Sequence, residues 1–476
     1  DNTINDDDDD IHCDVGLDEL REMYDIVVLA YGCESDRELK LQCTTTIKHQ
    51  LNKYSNNSYV PDSSVIRTVH YKPTVPTSGF NNSYVDGVLS ARQFVNWYNG
   101  HPDYDWVTDD VQKALSTSNS TTTNTQTQNI VIIGHGNVAI DCARILAKSR
   151  KSLTTTDITT RALDVLRPPL TNDPQNQDTQ IVKRNINVVG RRGHIQGAFT
   201  IKEIRELTKL SDTSSDSSND NDGDGDGDAI LILRRDELEK GMTDTSKQEL
   251  EQMRQKQRIH KLLIGHCANN AATYAVNAID RKQQHNTKVN LRFLLNPVRY
   301  EKIGFQLKSV ICERTKLIGD EIGRQKAIPM IDGTDVDDDN DDDDDNKRTY
   351  ETIDADLCLV SIGYKGESID CSTSTIYNSH NGTLRNDRGR VVDIDAYRYC
   401  DDGDDIENYR EKYNNYDNNS MAAVYVSGWL KRGPSGIIGT NICDAKETVE
   451  SIIEDIRIDQ SSQPSLSSSS SSSKLV

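Results

Sequence analysis

The chain has 476 residues, 76 of them Asp or Glu against 55 Lys or Arg, giving a formal net charge of −21, and 34% are apolar. The length accommodates two to four domains. Even with the 28 glycines added, the apolar share falls short of the roughly 45 to 50% of a packed chain, so part of the sequence lies outside any core. The acidic balance excludes general nucleic-acid binding, which needs a clustered positive surface, and no run approaches the roughly 18 apolar residues of a membrane span.

Residues 6 to 10 are all Asp, and the chain opens with Asp1 rather than Met, so its natural start is expected upstream. Short β-branched runs bounded by turn residues then recur at 26–29, 130–133, 186–189, 291–295, 357–362 and 424–426, the pattern of buried parallel strands. Helical periodicity follows two of them. Residues 137–149 place Val138, Cys142, Ile145 and Leu146 on one face, and residues 200–210 do the same with Ile201, Ile204, Leu207 and Leu210. Alternating strand and helix predicts a doubly wound α/β architecture.

Between these elements, residues 44–83, 114–128, 211–228, 332–348, 401–420 and 458–476 are polar and aperiodic, and are expected to be disordered surface insertions. Residues 220–225 read D-N-D-G-D-G, the opening of a calcium loop, but the twelfth position is Leu231 where a bidentate Glu is required, so a solvated acidic loop is expected. The ten cysteines include no C-x-x-C pair and no metal-ligand spacing, which disfavours zinc, cysteine-bound iron–sulfur clusters and a dithiol centre. Scattered thiols of this kind suggest a reducing compartment. The C-terminal S-K-L-V is not a peroxisomal address, which requires S-K-L at the extreme end.

Residues 129–141, N-I-V-I-I-G-H-G-N-V-A-I-D, combine a strand, a G-x-G-x-x-A turn and a helix start. Gly134 permits the tight turn, Gly136 lets the backbone approach a pyrophosphate, and Ala139 allows close helix packing. The next strand ends in G-R-R-G at 190–193, where an NAD site would carry an acidic residue. Two guanidiniums suit a 2′-phosphate, so NADP is expected rather than NAD. The 57 residues from Gly134 to Arg191 exceed the roughly 20 usual for this spacing, and an inserted connection at 151–184 accounts for the excess.

With Y-D-I-V-V-L-A-Y-G at 24–32, S-A-R-Q-F-V-N-W-Y-N-G at 90–100, G-R-R-G-H-I-Q-G-A-F-T-I-K-E-I-R-E at 190–206 and S-G-W-L-K-R-G-P-S-G-I-I-G-T at 427–440, the chain resembles the adrenodoxin reductase family, the mitochondrial-type ferredoxin–NADP reductases that carry FAD. The resemblance runs from about residue 15 to 457. It implies two Rossmann-like dinucleotide-binding domains: a partial, discontinuous FAD domain at 15–110 that returns at 366–457, an NADP domain at 129–365, and a disordered Ser-rich tail at 458–476. It assigns His135, Gly136, Asn137 and Val138 to NADP contact, Arg191 and Arg192 to the 2′-phosphate, and Glu203 to their vicinity. Trp429 with Gly436, Ile437 and Ile438 would meet the flavin. His135 stands where the family usually has Gln, and His194 where it has Pro. The family's opening flavin fingerprint is expected to be absent here, since nothing like it precedes residue 24, and the chain as given is expected to retain little FAD.

The implied chemistry is hydride transfer from NADPH to FAD and single electrons onward to a [2Fe–2S] ferredoxin in mitochondria, with no catalytic side chain required. Asp141 is weighed between a helix-terminal charge and a place near the flavin. An acidic ferredoxin would dock on Arg205, Arg254 and Arg258. Residues 183–209 carry seven basic side chains against two acidic, and residues 247–261 five against two. The alternatives are a non-catalytic NADP-binding fragment lacking FAD, or a glutamate-synthase-type or disulfide-type flavin reductase.

Overall fold

The computed structural model describes residues 15–39, 41–45, 65–66, 85–116, 125–169, 181–211, 229–277, 286–331, 348–368, 376–392, 423–436 and 438–462. Most of the expected insertions, and the acidic loop as far as residue 228, lie outside the described residues. Two compact units emerge, one of residues 1–37 with 363–476 and one of residues 38–362.

The larger unit is built on a six-stranded parallel sheet, labelled in chain order: β1 (Val88–Ser90), β2 (Thr125–Ile133), β3 (Ile181–Gly190), β4 (Ile230–Leu233), β5 (Thr287–Phe293) and β6 (Leu357–Val360). The spatial order is β1-β6-β2-β3-β5-β4. Alternation along each strand sends successive side chains to opposite faces. Ile130 and Ile132 of β2 and Leu357 and Leu359 of β6 join one core with Phe94, Trp97, Ile140 and Leu146 of the helices Ala91–Tyr98 and Asn137–Ala147. Val131, Ile133, Cys358 and Val360 enter a second core with Tyr300, Val310 and Cys312. That second core belongs to another sheet, in which Leu295–Ile303 pairs antiparallel with Gln306–Ile318 and parallel with Leu41–Thr45. The doubly wound expectation is thus corrected in its layering: helices cover the first face and a mixed sheet covers the other.

Residues 85–110, expected with the flavin domain, lie in the larger unit, because β1 pairs in parallel with β6. Parts of the expected insertions are also ordered, and in 44–83 Thr44 and Thr45 end the strand Leu41–Thr45 while Val65–Ile66 is a strand. Residues 114–116 close the helix Val107–Ser116 and 125–128 open β2. Buried Gln126 and Gln128 donate their amides to Leu115 O at 2.8 and 2.9 Å. Polar residues enter this core because a helix C-terminus offers a carbonyl that needs a donor. Likewise 458–462 continue the helix Ile438–Ser462. The expected strand at 291–295 breaks at Leu294, whose φ of 56° turns the chain from β5 into the second sheet.

The smaller unit holds a sheet in the order Ile26–Leu29, Ala423–Val426, Arg390–Val391, Asn386–Asp387, its first two strands parallel. Leu17, Val27, Leu29, Leu384, Val426 and Leu430 form its core.

Candidate functional site

The glycine turn follows β2 directly. Gly134 has φ 128°, and a Cβ there would overlap Ser361 O at the end of β6, so only glycine fits. Its N–H donates to Val189 O on β3 at 2.8 Å, while Ser361 N donates to Ile133 O at 2.7 Å, which fixes the turn between both neighbouring strands. Gly136 is the N-cap of the helix Asn137–Ala147 and has no side-chain cap. A Cβ on Gly136 would meet nothing within 4 Å. The turn therefore presents open space in front of uncapped helix N–H groups, the setting that holds a phosphate. Fully buried Ala139 brings the helix onto the sheet.

Asn137 does not serve the helix end. Its Oδ1 accepts the Thr200 N–H at 2.8 Å, tying the fingerprint to the segment after β3. Val138 packs at the margin of the helix-side core. The His135 ring lies across Gly190, where a Cβ would collide with it, and packs edge-on to Phe293 at 4.8 Å. Burial lowers the His135 pKa to about 4, opposed by hydrogen bonds to the Val188 and Arg292 backbone, so the ring is neutral at pH 7. Its imidazole is thus committed to packing, and its carbonyl takes Ala198 N–H at 2.9 Å.

The basic loop begins where β3 ends. Arg191 is exposed and Arg192 half-buried, and among the described residues neither guanidinium has a hydrogen-bond or ion-pair partner. Burial and then the charge of Arg191 lower the Arg192 pKa, while Glu249 opposes them. Two adjacent cations whose guanidiniums make no ion pair, near the open glycine turn, are suited to an added phosphate. Glu203 is placed otherwise. It lies 3.8 Å from Arg144, which also pairs with Asp141 and Glu206, so these charges join the helices Asn137–Ala147 and Ile201–Thr208. Asp141 thus belongs to that charge cluster.

Several residues that support the loop were invisible in the sequence pattern. Fully buried Glu249 pairs with Lys256 and accepts Gln196 Nε2 at 3.4 Å, and Gln196 also reaches Ser246 and Gln325. Lys256 is thereby withdrawn from the basic surface expected at 247–261. Buried Glu237 accepts Arg292 Nε and Nη2, Arg314 Nη1 and Phe293 N at 2.8 to 2.9 Å. Glu351 holds both arginines from its own side. Buried His194 shares a 2.8 Å hydrogen bond with His260, and burial, then the neighbouring His260, lowers its pKa to about 3. An acid in R-R-D-E-L-E-K carries no mark that separates Glu237 from its exposed neighbours.

Arg205, Arg254 and Arg258 are all exposed, Arg205 on the helix Ile201–Thr208 and the others on Arg254–Asn277. In the smaller unit, Gly428 has φ 77° and leads into the short helix Trp429–Arg432. The Trp429 ring stacks on Tyr364 at 6.2 Å. Asp444 accepts the Gly428 N–H, and Lys431 lies between Asp444 and Glu447 at 3.4 and 2.7 Å, so the helix Ile438–Ser462 fixes this segment. Gly436 has φ 86°, and a Cβ there would strike Thr440. Ile437 lies outside the described residues, and Ile438 opens the long helix. Among the described residues no helix is long and apolar enough to cross a membrane.

No protein-family model matches the chain. It is 29% identical over 447 residues to the mitochondrial NADPH:adrenodoxin oxidoreductase of Arabidopsis thaliana, which covers 93% of this chain and 66% of that protein. The NADPH-ferredoxin reductase FprA of Mycobacterium tuberculosis is 27% identical over 438 residues, covering 92% and 65%. The solved structure of that FprA in complex with NADPH aligns with a TM-score of 0.55 and 26% identity, over 93% of this chain and 66% of the other. The chain thus spans just under two thirds of the length of these curated relatives.

Proposed function

We infer that the chain, a member of the adrenodoxin reductase family, is a flavoprotein oxidoreductase that passes electrons from NADPH through FAD to a [2Fe–2S] ferredoxin. The observation that carries this reading is the pairing, in one unit, of an open glycine turn at Gly134–Gly136 with two unpartnered guanidiniums at Arg191 and Arg192. Kinship to enzymes named for NADPH and for adrenodoxin or ferredoxin supports it. The larger unit is the NADP domain. There the N–H groups of the helix that begins at Asn137 hold the pyrophosphate, the two arginines hold the 2′-phosphate, and the backbone of His135 and Val138 lines the approach. Glu203 acts through Arg144 by keeping the two flanking helices together.

The smaller unit is the FAD side, with Trp429 and Gly436 facing the flavin. Gly428 and Gly436, both at positive φ, suit a backbone that must lie close to a flat ring. Bound FAD supplies the exchange between a two-electron donor and a one-electron acceptor. The chain's own residues orient the cofactors, and no side chain is required to move a proton. Arg205, Arg254 and Arg258 form the surface for an acidic ferredoxin, local positive charge steering the encounter against the overall −21. A mitochondrial location follows the names of the plant and animal relatives.

The test is a flavin spectrum of the purified chain, followed by ferredoxin reduction driven by NADPH or NADH. A rate that requires NADPH is expected when FAD is supplied. Reduction at equal rates with both coenzymes would contradict the assignment of Arg191 and Arg192.

A further inference from the structure

The arginine pair is held from behind by the turn where the chain leaves the parallel sheet for the second one. Leu294 sits there at φ 56°, a conformation that costs a non-glycine residue energy and persists only where its surroundings fix it. The strained residue points its N–H at Arg192 O, 3.2 Å away. Thr315, on the neighbouring strand Gln306–Ile318, donates its hydroxyl to Arg191 O at 2.7 Å and its N–H to Leu294 O at 3.0 Å. Both consecutive carbonyls of the arginine pair are therefore clamped, and one residue, Thr315, braces the clamp at two points. Thr315 is itself buried, and the residues beside the clamp, Phe293 and Arg314, are anchored on the Glu237 carboxylate.

From this geometry we propose that Thr315 is the positioning residue for coenzyme selectivity: its hydroxyl fixes the backbone of Arg191 so that both guanidiniums meet a 2′-phosphate together. The inference rests on the NADP reading of the site and adds the device that sets its specificity. Fixing the backbone beforehand matters because two long, otherwise free side chains lose affinity to ordering unless their roots are held. Thr315 makes no contact with a nucleotide in this account. It acts through the peptide groups of residues 191 and 192. A buried hydroxyl that only stabilised the fold would affect all ligands of the site alike.

The experiment is calorimetric titration with adenosine 2′,5′-bisphosphate and with adenosine 5′-monophosphate, which differ only in the 2′-phosphate. Wild type, Thr315→Val, Thr315→Ser and the double variant Arg191→Ala with Arg192→Ala are compared. Wild type should prefer the bisphosphate, and the double variant should lose that preference. Thr315→Val should cut the preference about three- to tenfold, the loss of one hydrogen bond, while the monophosphate constant stays within about twofold. Thr315→Ser, which keeps the hydroxyl, should retain the wild-type preference. Thr315→Ala is the second variant should the valine protein fail to fold, with the same expectation. A preference unchanged in Thr315→Val or Thr315→Ala, while the arginine variant loses it, overturns the role of Thr315 and leaves the NADP reading intact. Equal weakening toward both ligands shows Thr315 to be merely structural and also overturns it. A wild-type chain with no preference overturns the NADP reading and this inference together.

Discussion

Replacing Glu237 by Gln is expected to destabilise the larger unit by about 3 kcal/mol, the lower end of the roughly 3 to 5 kcal/mol for breaking a buried pair. The Glu237 side chain is 1% exposed and faces Arg292 at 5% and Arg314 at 20%, with Glu351 at 24% closing the set. Arg234 also lies 3.9 Å from Glu351, so two anions face three cations, and the substitution leaves Glu351 as the single anion among them. Burial disfavours the Arg292 charge, and its hydrogen bonds to Glu351 and Glu237 more than reverse this, so its pKa is raised overall. Nor can a Gln amide reproduce the contacts. One carboxylate oxygen takes three N–H groups from the arginines and the other takes Phe293 N–H, so an amide nitrogen in either place sets donor against donor. Glu351 remains as a partner for both arginines, which is why the lower end applies. The assay is urea unfolding followed by circular dichroism and by tryptophan fluorescence, to which Trp97, wholly buried in this unit, contributes. A midpoint lower by about 1 M or more is expected. The same change at the more exposed Glu351 should cost about 1 to 2 kcal/mol. A Glu237→Gln midpoint within about 0.3 M of wild type would refute the reasoning, as would equal shifts for the two variants.

Gly134→Ala should abolish nucleotide binding and lower stability by more than about 2 kcal/mol, because a Cβ there overlaps Ser361 O; wild-type affinity in a titration would contradict the turn geometry. Stability should fall as the pH drops from about 6.5 toward about 4. Unfolded histidines take up protons in that window, whereas partly buried His135 and buried His194 resist until about 4 and about 3, so the unfolded state binds more protons. Urea midpoints measured across that range should decline less steeply for His194→Gln than for wild type, and equal slopes would remove His194 from the account. Thiol labelling read by peptide mass should modify exposed Cys443 well before buried Cys142 and Cys312, the last held protonated by burial and then the Glu351 charge, which push its pKa up to about 12. Equal labelling of all three would contradict the described core.

The strands of the parallel sheet were legible because buried β-branched runs have a distinctive signature, and the fingerprint because glycine at 134 and 136 has steric reasons visible in the sequence alone. The layering was not legible. Val131 and Ile133 read the same whether a helix or a second sheet covers them, and only the tertiary cores show which does. Gln126 and Gln128 read as insertion because their polarity gave no hint that Leu115 O would receive both amides. The arginine pair was found from its place after β3, yet its supports, Thr315, Glu237 and Glu249, lie at sequence distances that no local pattern connects. His135 was legible as a member of the turn, while the inward direction of its ring depended on Gly190 and Phe293.

The central claim, an NADPH site built on Arg191 and Arg192, is tested most directly by equilibrium titration of NADPH and NADH against wild type and the double variant Arg191→Ala with Arg192→Ala. The account predicts a wild-type preference for NADPH of more than about tenfold, since each charge-assisted contact contributes about 1.5 to 3 kcal/mol, and its disappearance in the variant through weaker NADPH binding alone. Equal affinity of the wild type for both coenzymes, or an equal loss for both in the variant, would contradict it.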